Sequence, residues 1–163
     1  MLMNIIGKLE LELLHTPETS ILGKIKNVIF GAALYISWAT FVLFLYKTFV
    51  PEFSGVNLQF MYFPKSDMYI FISSCILAPF IEEIFFRKPL NLLKKFEQEK
   101  AILWYILFSS TLFGYLHNGS WSIPIQGVAG LIFCYVYLKN GYSYFSSVAC
   151  HFLVNFYYFL TTN

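Results

Sequence analysis

Apolar runs of helical length, separated by short polar breaks, make up most of this chain. The clearest runs from Asn27 to Tyr46 without a charge, with Lys24, Lys26 and Lys47 marking its ends. A helix of that length covers about 30 Å, the thickness of the hydrocarbon layer of a membrane. Residues 68–86 form a second run, interrupted by Pro79 and the pair Glu82-Glu83. Residues 101–117, 121–138 and 142–160 form three more. The breaks carry turn chemistry: Pro51, Gly55 and Pro64 after the first run, then Asn118-Gly119-Ser120 and Asn140-Gly141. Gly127 and Gly130 are small residues that allow close helix contact.

At the start of the chain, apolar Leu2, Ile5, Ile6 and Leu9 alternate with Lys8, Glu10 and Glu12. That pattern predicts an amphipathic helix lying in the membrane interface over residues 1–26. The predicted fold is therefore all-α: a polytopic transmembrane bundle of five membrane helices at residues 27–163, behind an N-terminal amphipathic segment. The Lys/Arg cluster at 87–100 favours the cytosolic side, which places the N-terminus in the cytosol and the C-terminus outside.

Composition supports the membrane reading. Hydrophobic residues make up 58% of the 163 and charged residues only 12%, against roughly 25% charged in a soluble domain. Mean hydropathy is +0.61. So small a soluble protein has too little interior to hide that much apolar surface. A net charge of +2 without a basic stripe excludes nucleic acid as a partner. Cys75, Cys134 and Cys150 each sit in an apolar run without Cys-x-x-Cys spacing, and read as small core residues.

Against this background the polar residues inside the apolar runs stand out. A carboxylate in a membrane helix costs about 2.5–3.5 kcal/mol on insertion scales and marks function by default. Glu83 and Arg87 are four residues apart, the spacing of a helical ion pair, which accounts for Glu83. Glu82 has only apolar sequence neighbours besides Glu83 and is left for function. His117 ends one apolar helix, where a lone histidine reads as an interfacial cap. His151 sits inside another run, and Asn155, four residues on, shares its helix face. Each residue alone has a bland reading; the set does not.

A hairpin of helices 80–96 and 101–117 turning near Gln98 puts Glu82 about 24 Å and His117 about 28 Å from the turn, which matches them within one helical turn. By the same rise, His151 lies about 16 Å past Asn140-Gly141 and roughly 8 Å from the His117 level. The hairpin asks the charged stretch from Arg87 to Lys95 to continue the helix past the apolar run. Pro89 is a possible kink within it. Counting spans alone puts Glu82 and His117 at opposite faces instead. The hairpin is preferred because isolated polar groups in lipid make less physical sense.

A carboxylate beside an imidazole activates water, while a second imidazole and an amide donate hydrogen bonds to an oxyanion. That chemistry is amide hydrolysis. The same groups offer zinc two histidines and one glutamate, although the His-Glu-x-x-His signature is missing. A proton or ion path is a third use of the set, less attractive in five short helices without repeats. The chain also lacks the Gly-x-Ser-x-Gly elbow, the Walker A loop and the dinucleotide fingerprint.

Glu-Glu-x-x-x-Arg (Glu82, Glu83, Arg87), Phe-x-x-x-His (Phe113, His117) and His-x-x-x-Asn (His151, Asn155) occur in this order on apolar helices. Together they resemble the CAAX protease and bacteriocin-processing family, also called Abi, over residues 68–160. The resemblance implies an intramembrane endopeptidase of a glutamate type, formerly classed with metalloendopeptidases. It implies Glu82 and His117 as the water-activating pair and His151 with Asn155 as the oxyanion-binding pair. Glu83, Arg87 and Phe113 are then supporting residues. No cofactor is required in that reading; were zinc bound, its ligands would be Glu82, His117 and His151. The implied partners are the lipid bilayer and a peptide or membrane-protein substrate. The Phe- and Lys-rich style points to a multi-pass protein of a bacterial cell membrane, acting in peptide or bacteriocin processing or in self-immunity. Only about one helix precedes the core, and Lys88-Pro89 follows Arg87 where many relatives have a small residue. The alternatives are a non-catalytic immunity or partner-binding protein and, behind it, a small proton-coupled carrier.

Overall fold

The structure is a computed structural model that describes residues 20–50, 68–95 and 99–161. The described elements are all helical: α1 (Ile21–Phe49), α2 (Met68–Phe71), a π-helix (Ile72–Leu77), α3 (Ala78–Lys95), α4 (Glu99–Asn118), a 3₁₀ turn (Gly119–Ser122), a second π-helix (Ile123–Gly127), α5 (Val128–Lys139) and α6 (Tyr144–Thr161).

Ser20 sets the start of α1. Its hydroxyl accepts from the Gly23 N–H at 3.0 Å, satisfying one of the donors a helix start leaves open. The helix outruns the uncharged stretch 27–46 at both ends, and residues 21–26 form its first turns. Residues 1–19 of the predicted amphipathic segment lie outside the described residues.

Among the described residues, two helical stretches are long and apolar enough to cross a membrane, Ile21–Phe49 and Lys100–Lys139. The second is folded back on itself. Gly119, at φ +66°, turns the chain. Beyond it, Gly127 and Gly130 pack against the α4 backbone at Gly114 and Ser110. These pairings run in opposite chain directions, so α4 and the α5 leg are antiparallel. A Cβ on Gly114 would come within 2.7 Å of the Gly127 nitrogen and 2.8 Å of the Ile123 Cα, both backbone atoms that cannot step aside. The runs 101–117 and 121–138 are the two legs of this hairpin.

α3 and α4 form a second antiparallel pair. α3 continues through Pro89 to Lys95, so the charged stretch does extend the helix. The Tyr105 hydroxyl of α4 donates to the Phe85 carbonyl at 3.3 Å, and the Phe86 and Phe113 rings meet edge to face at 5.2 Å. The expected turn residue Gln98 lies outside the described residues.

Proline shapes the entry to α3. Its ring clashes with the carbonyl four residues back, and the helix ahead of Pro79 widens to π geometry. The Ala78 N–H accordingly bonds the Ser73 carbonyl, five residues back. In that register the Ser74 carbonyl falls opposite Pro79, which has no N–H to offer. Asn155 of α6 supplies the missing donor, its Nδ2 lying 2.9 Å from Ser74 O.

The main core joins α1 to the later helices through Tyr35, Ala39, Phe113, Phe133, Val136, Cys150 and Val154. A second cluster packs Leu90, Ile102, Cys134, Tyr137 and Leu138. Cys75, Cys134 and Cys150 are free thiols, all buried.

Candidate active site

α3, α4 and α6 converge on the pair of carboxylates, which the fold treats very differently. Successive helical residues point about 100° apart, so Glu83 turns inward and Glu82 faces the α4–α6 side.

Glu83 and Arg87 are both fully buried and pair at 2.8 Å between Nε and Oε2. The Ser147 hydroxyl also donates to Glu83 Oε2. Oε1 lies 3.1 Å from His151 Nδ1. Glu83 is thus held by a guanidinium, a hydroxyl and an imidazole. A buried carboxylate is tolerated only with such full pairing.

Glu82 is the open member, with 29% of its side chain exposed. Its Oε2 is nonetheless covered, and no protein group among the described residues hydrogen-bonds to it. Two imidazoles face that oxygen: His117 Nε2 at 4.0 Å and His151 Nε2 at 3.9 Å. Neither distance is a hydrogen bond, and a polar separation of this size is one a water spans.

The far side of each ring fixes its proton. His117 Nδ1 lies 2.7 Å from the Phe113 carbonyl of its own helix. A carbonyl only accepts, so Nδ1 carries the hydrogen and Nε2 of the neutral ring is an acceptor. His151 Nδ1 donates in the same way to the Glu83 carboxylate. With both rings neutral, three acceptors therefore converge: Glu82 Oε2, His117 Nε2 and His151 Nε2. They call for a donor from outside the trio or for a second proton on one ring.

Aromatic packing holds the imidazoles in place. Phe133 stacks on His151 at 4.4 Å and 22°. Phe113 packs against both rings, at 4.5 Å from His117 and 5.8 Å from His151. The residue expected to support the second motif is thus shared between the two histidines.

Glu82, Glu83, Arg87, Phe113, His117 and His151 all meet here. Asn155 sits one turn further along α6, on the Ser74 carbonyl. Ser147 and Phe133 escaped the sequence reading. Ser147 had a signal, because Ser147, His151 and Asn155 follow one another at spacings of four and form a single polar stripe on α6. Phe133 had none, being one phenylalanine among 19.

Glu82, His117 and His151 are the groups a zinc ion would take. Ligands about 2.0–2.1 Å from a tetrahedral zinc stand roughly 3.3 Å apart, closer than the carboxylate–imidazole separations here. Among the described residues, no group of three or more His, Cys, Asp and Glu is disposed to hold a metal ion.

Residues 64–157, more than half of the chain, match the family model described as Rce1-like, type II CAAX prenyl endopeptidase Rce1-like. The match contains every residue of the convergence just described. No curated protein and no solved structure matches the chain.

Proposed function

This chain belongs to the Rce1-like family of type II CAAX prenyl endopeptidases, and on that premise we propose that it is an intramembrane endopeptidase working through a glutamate-activated water. The family is one of proteases, and with the two apolar stretches it makes the chain an integral membrane protein. The finer reading is a multi-pass protein with five spans in a bacterial cell membrane. Its substrate is a peptide or a membrane-protein segment, and its role is peptide or bacteriocin processing or self-immunity.

The observation that carries the mechanism is the covered Oε2 of Glu82, which no donor among the described residues reaches and two imidazole nitrogens face. A water there donates one hydrogen to Glu82 Oε2 and the other to His117 Nε2. Glu82 takes the proton as the water oxygen attacks the scissile carbonyl carbon. The oxyanion forms beside His151, which donates from Nε2 when its ring carries a second proton. Asn155 keeps one amide hydrogen beyond its bond to Ser74 and is the second oxyanion donor. Glu82 then returns its proton to the leaving amine nitrogen. The water is thereby divided between the new carboxyl and the new amine, and no metal takes part.

The test is cleavage of a quenched-fluorescent peptide library by the purified protein and its Glu82→Gln variant in detergent, with and without a strong chelator. The variant is expected to lose at least about a hundredfold in rate, the usual share of a general base, and to keep its melting temperature. Chelator is expected to leave the parent unchanged. Equal cleavage by both proteins would overturn the mechanism, and loss in chelator would bring zinc back. Should neither protein cleave any peptide while a cell carrying Glu82→Gln stayed protected from a bacteriocin, the binding alternative would take its place.

A further inference from the structure

Ser147 is wholly buried on α6, one turn before His151. Its oxygen lies within hydrogen-bond reach of two acceptors on two other helices. One is Glu83 Oε2 on α3. The other is the Phe133 carbonyl on α5, at 3.2 Å. A hydroxyl has a single hydrogen to donate, so Ser147 is shared between them.

Both neighbours act on His151. Glu83 accepts from His151 Nδ1 at 3.1 Å, which sets the proton on that side of the ring and the direction in which Nε2 points. Phe133 stacks on the same ring at 4.4 Å, which sets its plane. An imidazole has two freedoms that matter here, rotation about its plane and placement of its proton. One hydroxyl therefore touches the carboxylate that places the proton and the backbone of the residue whose ring sets the plane.

We propose that Ser147 is a positioning residue that holds His151 in its working orientation by fixing the Glu83 carboxylate. Arg87 does not do this by itself, because it pairs with Glu83 Oε2 from within the same helix. Ser147 ties that carboxylate to α6, the helix that carries His151. The proposal concerns the site read above as proteolytic, so part of its test does not depend on activity.

The experiment follows the His151 Nδ1–H proton by NMR in detergent, in protein labelled with ¹⁵N-histidine. The signal is assigned by its loss in His151→Gln. In the parent, this proton is expected to be slow to exchange. In Ser147→Ala it is expected to exchange at least about tenfold faster, and peptide cleavage to lose about tenfold in kcat with KM within about twofold, the size of effect seen when an orienting partner or a small displacement is lost. Ser147→Thr keeps the hydroxyl and is expected to restore both. Ser146→Ala, whose hydroxyl bonds Ser143 instead, is expected to change neither. If Ser147→Ala does not fold, Ser147→Cys, a weaker donor of similar size, carries the same readings. Parental exchange protection and parental kcat in the folded variant would overturn the proposal. If Glu82→Gln cleaves like the parent, the proteolytic reading falls, and the exchange rate alone decides the role of Ser147.

Discussion

Two adjacent glutamates do opposite work in this site, and the difference is one of partners. Glu83 is spent on structure: Arg87, Ser147 and His151 occupy it. Glu82 keeps an oxygen free between two histidines. This division makes a stability prediction. Glu83→Ala would leave the buried Arg87 guanidinium without its counter-charge, and breaking such a pair costs about 3–5 kcal/mol. The variant is expected to melt well below the parent, whereas Glu83→Gln/Arg87→Met, which removes both charges, is expected to recover a large part of the loss. Thermal melts in detergent decide it; equal melting of Glu83→Ala and the parent would show the pair to be idle. The i, i+4 spacing made this pair legible in the sequence, as the cost of charge in lipid made Glu82 legible. Ser147 was passed over because serine is ordinary in a membrane helix; its place in the stripe with His151 and Asn155 was the available signal, and the position of Glu83 gives its hydroxyl a meaning.

Between residue and fold, the informative element is the π-helix ahead of α3. Pro79 was visible in the sequence as an interruption, but its consequence lies elsewhere in the chain. It strands the Ser74 carbonyl, and Asn155, 81 positions away, answers it. No local pattern reports such a pairing, because the backbone need is created on one helix and met from another. The hairpin of α3 and α4 was legible for a different reason, since depth follows directly from residue count along a helix. Its partner hairpin was legible from Asn118-Gly119-Ser120 and from Gly127 and Gly130, but the closest approach is at Gly114, which gave no separate signal. The Ser74–Asn155 bond predicts a coupling. Asn155→Ala leaves a partly buried carbonyl unsatisfied, at a cost of about 1 kcal/mol. Pro79→Ala returns an N–H to the helix opposite that carbonyl. The double variant is therefore expected to lose less stability than the two single losses added together. A double-mutant cycle in melting free energy checks this, and strict additivity would mean that Asn155 does not serve the carbonyl that Pro79 strands.

At the scale of the whole molecule, α1 stands outside the matched segment 64–157 and yet is built into the site's support. Lipid is as apolar as the side chains α1 buries, so hydrophobic burial does little to hold a membrane helix to its neighbours. What remains is packing and polar stitching, and α1 has both. Gly31 fits closely against Val136 and Cys150. Trp38 Nε1 donates to the Pro124 carbonyl at 2.7 Å, and the Tyr35 hydroxyl to Gln126 Oε1 at 3.3 Å. Near the other end, Asn27 donates to Asn140 at 2.7 Å, and Asn140 donates back to the Lys24 carbonyl. Two of these bonds land on the π-helix 123–127, which packs against α4 at Gly114, one turn before His117. Each such bond is worth about 0.6 kcal/mol on average in a membrane. The four together are too weak to decide whether the other helices fold, yet strong enough to decide where the 123–127 segment rests. A chain lacking residues 1–50 is therefore expected to accumulate in the membrane but to lose most of its cleavage. Co-expression of residues 1–50 as a separate piece is expected to restore it, and the same piece carrying Trp38→Phe and Tyr35→Phe to restore much less. Cleavage in membranes from the three strains reads the outcome directly. Full activity without α1 would show that the matched segment positions His117 by itself.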